Sequence, residues 1–121
     1  MSTEKNIKKS VERKITKIAA LGTKKKTAKI LKFVVAKEPE LRSAAAKALA
    51  NIRQDEAFNA LVDLVRDDDL SVRREAIVAL GIMGRKAGAE HIRSAMSRPE
   101  NVKLIAECQS SISEILASEE R

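Results

Sequence analysis

The chain has 121 residues, 44% of them apolar and 34% charged, with a net charge of +7, which bounds it to one domain with a modest core. Two Phe, no Trp or Tyr, two Pro and four Gly are too few aromatics and turn residues for an all-β architecture. One cysteine, Cys108, excludes an internal disulfide framework and a cysteine-rich zinc site.

The charge is unevenly placed. Residues 1–38 hold twelve Lys/Arg against three Glu, and the remainder holds twelve against fourteen acids. Attraction to anions therefore belongs to the N-terminal third. No apolar run approaches the ~18 residues of a membrane span. Lys5, Lys8 and Lys9 are not followed by an apolar run, so the N-terminus does not read as a secretory signal, and the cytoplasm is the expected location.

In chain order, Ile7, Val11, Ile15, Ile18, Ala19 and Leu21 form a helical stripe that ends at Gly22. Its opposite face is rich in Lys, Arg and Glu, as suits a capping helix. A helix is then expected over Lys24 to Val35, with Lys25, Lys29 and Lys32 on one exposed stripe. Pro39 stands where the next helix begins, a position that suits its fixed φ and missing donor, and that helix runs roughly Glu40 to Arg53. Asp55 to Arg66 reads as a further helix, Asp67-Asp68-Asp69 as a turn, and Val72 to Met83 as a helix stopped by Gly84. Ala89 to Ser97 is a short helix, and a loop around Pro99 leads to a last helix over about Asn101 to Ala117.

These elements repeat. Leu41-Arg42, Ala45-Ala46, Ala48-Leu49 and Ile52 stand 31 residues before Val72-Arg73, Ala76-Ile77, Ala79-Leu80 and Met83. Ile30, Phe33 and Val34 precede Leu61, Leu64 and Val65 by the same interval. Ile15, Ile18, Leu21 and Gly22 stand two periods before Ile77, Leu80, Met83 and Gly84. Leu104, Cys108, Ser111, Ile112 and Ile115 continue the pattern after one extra residue. A period of about 30 residues with two helices each predicts an all-α superhelix, a solenoid of about seven helices. It divides one domain, 1–121, into a cap (1–22) and helix pairs at 23–53, 54–84 and 85–118.

The turn-and-helix pattern Asp67, Asp69, Val72-Arg73, Ala76, Ala79-Leu80-Gly81 and Gly84 resembles the HEAT-like repeat of the phycobilisome-lyase type. Pro39, Leu41-Arg42, Ala45, Ala48 and Leu49 are similar. The resemblance covers about residues 23–117. It implies a curved scaffold whose second helices line a concave, protein-binding side. It also implies that the turn acid pairs with the arginine after valine in a neighbouring repeat. Arg42 and Arg73 match that arginine, but Ala36 stands where Asp67 would be, so the ladder is incomplete. Enzymatic relatives do not fit. Deoxyhypusine hydroxylases use several His-Glu pairs and this chain has one histidine, His91; HEAT-like glycosylases need an aromatic pocket and are longer, as are bilin lyases.

No constellation of nucleophile, base or metal ligands recurs at matching positions, so no catalysis, metal or cofactor is expected. His91 reads as a helical surface residue and Cys108 as a buried thiol. Asp67-Asp68-Asp69 lacks the spacing of a calcium loop and reads as helix capping. The expected function is a scaffold or adaptor that binds a protein partner on its second helices, where Val78 and Ile82 form an apolar centre flanked by Lys47 and Arg74. The alternative is a nucleic-acid-associated module using Lys25, Lys29 and Lys32. No aromatics interleave those lysines for base stacking, and Lys24, Lys25 and Lys32 stand one period before Asp55, Glu56 and Asp63, where the charges would pair across repeats.

Overall fold

The computed structural model describes residues 3–119, which form helices joined by turns, with no strand among them. Residues 1, 2, 120 and 121 of the expected 1–121 domain lie outside the described residues. The seven expected helices are α1 (Thr3–Thr23), α2 (Thr27–Leu31), α3 (Pro39–Leu49), α4 (Asp55–Leu64), α5 (Leu70–Met83), α6 (Ala87–Met96) and α7 (Ile105–Glu119). A 3-10 turn over Pro99–Leu104 leads into α7. α1, α3, α5 and α7 pack side by side in one layer, backed by α2, α4 and α6 in a second. This is the expected α-α solenoid.

The core follows the repeat. Leu49 and Leu80, one period apart, are 0% and 1% exposed, with Ile18, Leu61, Ile77, Ile92, Leu104 and Ile115 equally buried. Alanine fills the remaining inward positions, at Ala45, Ala46, Ala57, Ala76 and Ala79. Helices lined with so little side-chain volume must approach closely. A Cβ added at Gly22 would sit 2.9 Å from the Ala48 Cβ, and one at Gly81 would sit 2.8 Å from the Ser111 Cβ. Gly22 therefore serves packing of α1 against α3. It does not stop the helix, which continues to Thr23. Gly84 does stop α5, at φ 73 in the left-handed region.

Three other expectations change. α2 is one short helix and not a run from Lys24 to Val35. Lys24 to Lys26 belong to the turn that closes α1, and hydrogen bonds from the Phe33 and Ala36 amides to Ile30 and Phe33 make successive tight turns after Leu31. Lys25, Lys29 and Lys32 are all exposed, but only Lys29 lies within a helix, so they form no helical stripe. Ile7 is 57% exposed, like the rest of residues 3–9 at the start of α1. Pro39 occupies the first turn of α3 as expected, and Asp69 caps α5 by accepting from the Ser71 and Val72 amides.

The arginine ladder sets the register between repeats. Arg42 donates from Nε and Nη2 to both carboxylate oxygens of Asp67, at 2.9 and 3.0 Å. Its Nη1 donates to the Ala36 and Lys37 carbonyls. Arg73 repeats this one period later: Nη1 donates to the Asp67 and Asp68 carbonyls, Nε to the Asn101 side chain at 2.8 Å, and Nη2 to the Glu100 carbonyl. Each arginine therefore closes its own turn and reaches the next. Ala36 needs no acid, because Val11 stands where the preceding arginine would be. Burial pushes the Asp67 carboxyl up, but hydrogen bonds from Arg42 and the Asp69 amide, with the charges of Arg42 and Arg73, outweigh it and hold the group below its usual range.

Two outcomes follow for stability. Leu80→Ala is expected to cost about 2–5 kcal/mol in urea unfolding. Asp67→Asn is expected to cost about 1–2 kcal/mol at neutral pH. Because the folded carboxyl is depressed, its contribution is complete above the unfolded value of about 3.9 and is lost as pH falls through the lower folded value. The stability gap between wild type and Asp67→Asn should therefore narrow below about pH 4.

Candidate functional site

The second-helix layer has one face against α2, α4 and α6 and the other against solvent, and the solvent face carries the candidate site. Between α1 and α3 lies a groove of about 430 Å³. It exists because the side chains on its floor are too short to fill the valley. Ile15, Ala19, Ala44 and Ala48 form that floor, and only Ile15 among them is large. At one end stand Lys25, Lys47 and Asn51; toward the other stand Glu40, Ser43 and Glu75. A second depression, between α3 and α5, continues from Glu40, Ser43 and Glu75 to Asp69 and Arg74.

The expected partner-binding residues are thus divided. Lys47 lines the groove and Arg74 lines the adjoining depression. Val78 and Ile82 line neither; Val78 is half-buried and Ile82 is 51% exposed on α5. Arg74 is not free to meet a partner unaided, since its Nε bonds the Glu107 carboxylate at 3.1 Å across the α5–α7 contact. The alternative lysines also part company. Lys25 lines the groove beside Lys47, whereas Lys29 and Lys32 line no part of it. One residue from each expected set therefore meets in a single place, which helical periodicity could not reveal because Lys25 lies outside any helix.

The acids expected to neutralise the lysines do not do so. Asp55 bonds Arg85 at 3.0 Å, and no ion pair among the described residues joins Lys24, Lys25 or Lys32 to Asp55, Glu56 or Asp63. Arg85 also stacks over the Phe58 ring, 4.6 Å from its centroid, and the exposed His91 meets that ring edge-on at 6.0 Å. Arg85 in the connection before α6 and Phe58 on α4 stand one period after Gln54 and Thr27, whose side chains also bond each other, but the residue types differ, so the repeat pattern does not show the contact. Among the described residues no group of His, Cys, Asp and Glu is placed to hold a metal ion. No described helix is long and apolar enough to cross a membrane.

Residues 17–112 match a family model described as HEAT repeats. No curated protein matches the chain. HEAT repeats are commonly protein-interaction scaffolds and typically non-enzymatic.

Cys108 is fully buried in α7, where desolvation foremost, and the Glu107 charge after it, push its thiol up. In the native protein it should react with a maleimide or an aromatic disulfide many-fold more slowly than in guanidinium. Rapid labelling of the native thiol would show that the α5–α7 contact opens readily.

Proposed function

Because the chain belongs to the HEAT-repeat family, we propose that it is a non-catalytic scaffold that binds a segment of a protein partner across the solvent face of its second helices. We further assign its repeats to the short type found in phycobilisome lyases, on the Asp67, Val72-Arg73, Ala76 and Leu80-Gly81 pattern. The observation that carries the function is the groove between α1 and α3, where Lys25 and Lys47 border a floor of small apolar side chains. An apolar centre with a charged margin is the general anatomy of a protein-binding site. Ile82, half-exposed on the next helix but one, extends the same face. Covering what remains exposed of Val78 and Ile82 would contribute at most roughly half of the 1.5–3 kcal/mol of a full side-chain burial for each, with Lys47 and Arg74 orienting an acidic flank.

The exposed, unpaired Lys29 and Lys32 favour a second reading, an association with nucleic acid. That reading requires binding blind to sequence and steeply weakened by salt.

The expected outcome is that partner captured from the native cell is retained by wild type and lost by Val78→Ser/Ile82→Ser or by Ala19→Gln, which fills the groove from an exposed position. Circular dichroism and melting temperature should be nearly unchanged in both. Capture undiminished in both variants would remove the second-helix face from consideration. In a gel-shift assay at low salt the protein should shift neither DNA nor RNA. A shift abolished by replacing Lys25, Lys29 and Lys32 with Gln would establish the second reading instead.

A further inference from the structure

The charges of the groove are segregated along its length. On α3, Glu40 lies in the first turn and Lys47 in the last. Seven residues of helix separate them, a rise of about 10 Å. Glu75 joins Glu40 at one end and Lys25 joins Lys47 at the other. None of these four takes part in an ion pair among the described residues.

Helix dipoles account for part of this pattern, since an acid near an N-terminus and a base near a C-terminus are both favourable. They do not account for Glu75, which sits beyond the first turn of α5, and Lys25, just past the end of α1, adopts a backbone conformation that a dipole does not require. Lys25 is the more telling. Its amide donates to the Gly22 carbonyl and the Lys26 amide donates to the Leu21 carbonyl, closing α1 with a left-handed residue. That residue is glycine in most such closures, because a Cβ is strained there. Here it is lysine at φ 54, the one positive-φ non-glycine among the described residues. Strain of this kind gathers where a side chain is needed. In this case the strained residue lines the groove.

We propose that the groove takes a short peptide segment of bipolar charge. A carboxylate side chain meets Lys25 and Lys47, small apolar side chains lie over Ile15 and Ala44, and a lysine or arginine meets Glu40 and Glu75. The two charged contacts are about 10 Å apart, the span of roughly three residues of extended chain or two turns of helix. This deepens the scaffold reading above and rests on it. A polyanion is disfavoured as the occupant, because Glu40 and Glu75 would repel its phosphates and no aromatic ring lines the groove for base stacking.

The test is selection of a displayed library of random short peptides on the wild-type protein, followed by fluorescence anisotropy with the selected peptides made synthetically. Enriched sequences should carry acid on one side of an apolar stretch and base on the other. Changing Lys25 and Lys47 together to Glu should weaken such a peptide about tenfold or more, and reversing the peptide's acidic end to lysine should restore binding. Lys25→Gly should weaken binding roughly three- to tenfold while raising Tm by a few degrees, as strain is relieved. A Lys25→Gly variant with higher Tm and undiminished affinity would overturn the proposal. So would peptides without charge polarity, displacement of the peptide by an oligonucleotide, or dimers in sedimentation that Ala19→Gln abolishes. If the selected peptides instead depend only on Val78 and Ile82, the scaffold reading stands and the groove assignment fails. If the wild-type protein enriches no peptide, both fail together.

Discussion

The constraint on which the structure depends is the near-contact of backbone between successive second helices. Where Gly22 meets Ala48 and Gly81 meets Ser111 there is no space for one added carbon. Helices that close gain many weak dispersion contacts from small side chains, which offsets the small transfer energy available from an alanine-rich core. The same choice of side chains has a second effect at the surface. Alanines at positions 19, 44 and 48 let α1 and α3 touch, yet cannot fill the valley above the line of contact. Close packing within the layer and the groove on its face therefore have one cause.

The arginine rungs add what packing by alanine lacks, a unique register. A surface of similar small residues could slide by a turn at little cost. Arg42 and Arg73 remove that freedom, because each must satisfy its own turn carbonyls while reaching a fixed oxygen on the next repeat. The second rung uses Asn101 where the first uses Asp67. Asn101 is almost fully buried and also donates to the Ala95 carbonyl, a bond that no carboxylate could make. The rung is therefore adapted to the 3-10 turn of the last repeat.

What the sequence could reveal was whatever recurs. The 31-residue period located seven helices, the paired leucines Leu49 and Leu80, the buried thiol of Cys108 and the proline start of α3. The turn acid and the arginine were recognised by resemblance, but their incompleteness at Ala36 looked like a defect. It is a matched absence, since Val11 has removed the arginine that would have needed an acid. The site fared less well for the same reason. Lys25 was placed on a helix because its neighbours repeat those of a true helix, whereas its backbone conformation breaks the repeat. Ile82 stands out by its outward position, but the groove arises one helix pair earlier, from side chains that are merely small. Small residues carry no periodic signal that separates a filled interface from an open valley.

The repeat array also makes the terminal helix unequal to the others. α1 packs chiefly on α3 and α2, without an arginine rung, and in a one-dimensional array an end unit is held by a single neighbour interface. Yet α1 supplies one wall of the groove, through Ile15, Ala19 and the Lys25 turn. Opening of this end would abolish the groove, so anything seated there stabilises the docked form of α1 by its own binding free energy. Occupancy would be felt as slowed amide exchange in α1 before it was felt anywhere else. The cap is then an end unit secured from one side only, and its order is what a ligand would govern.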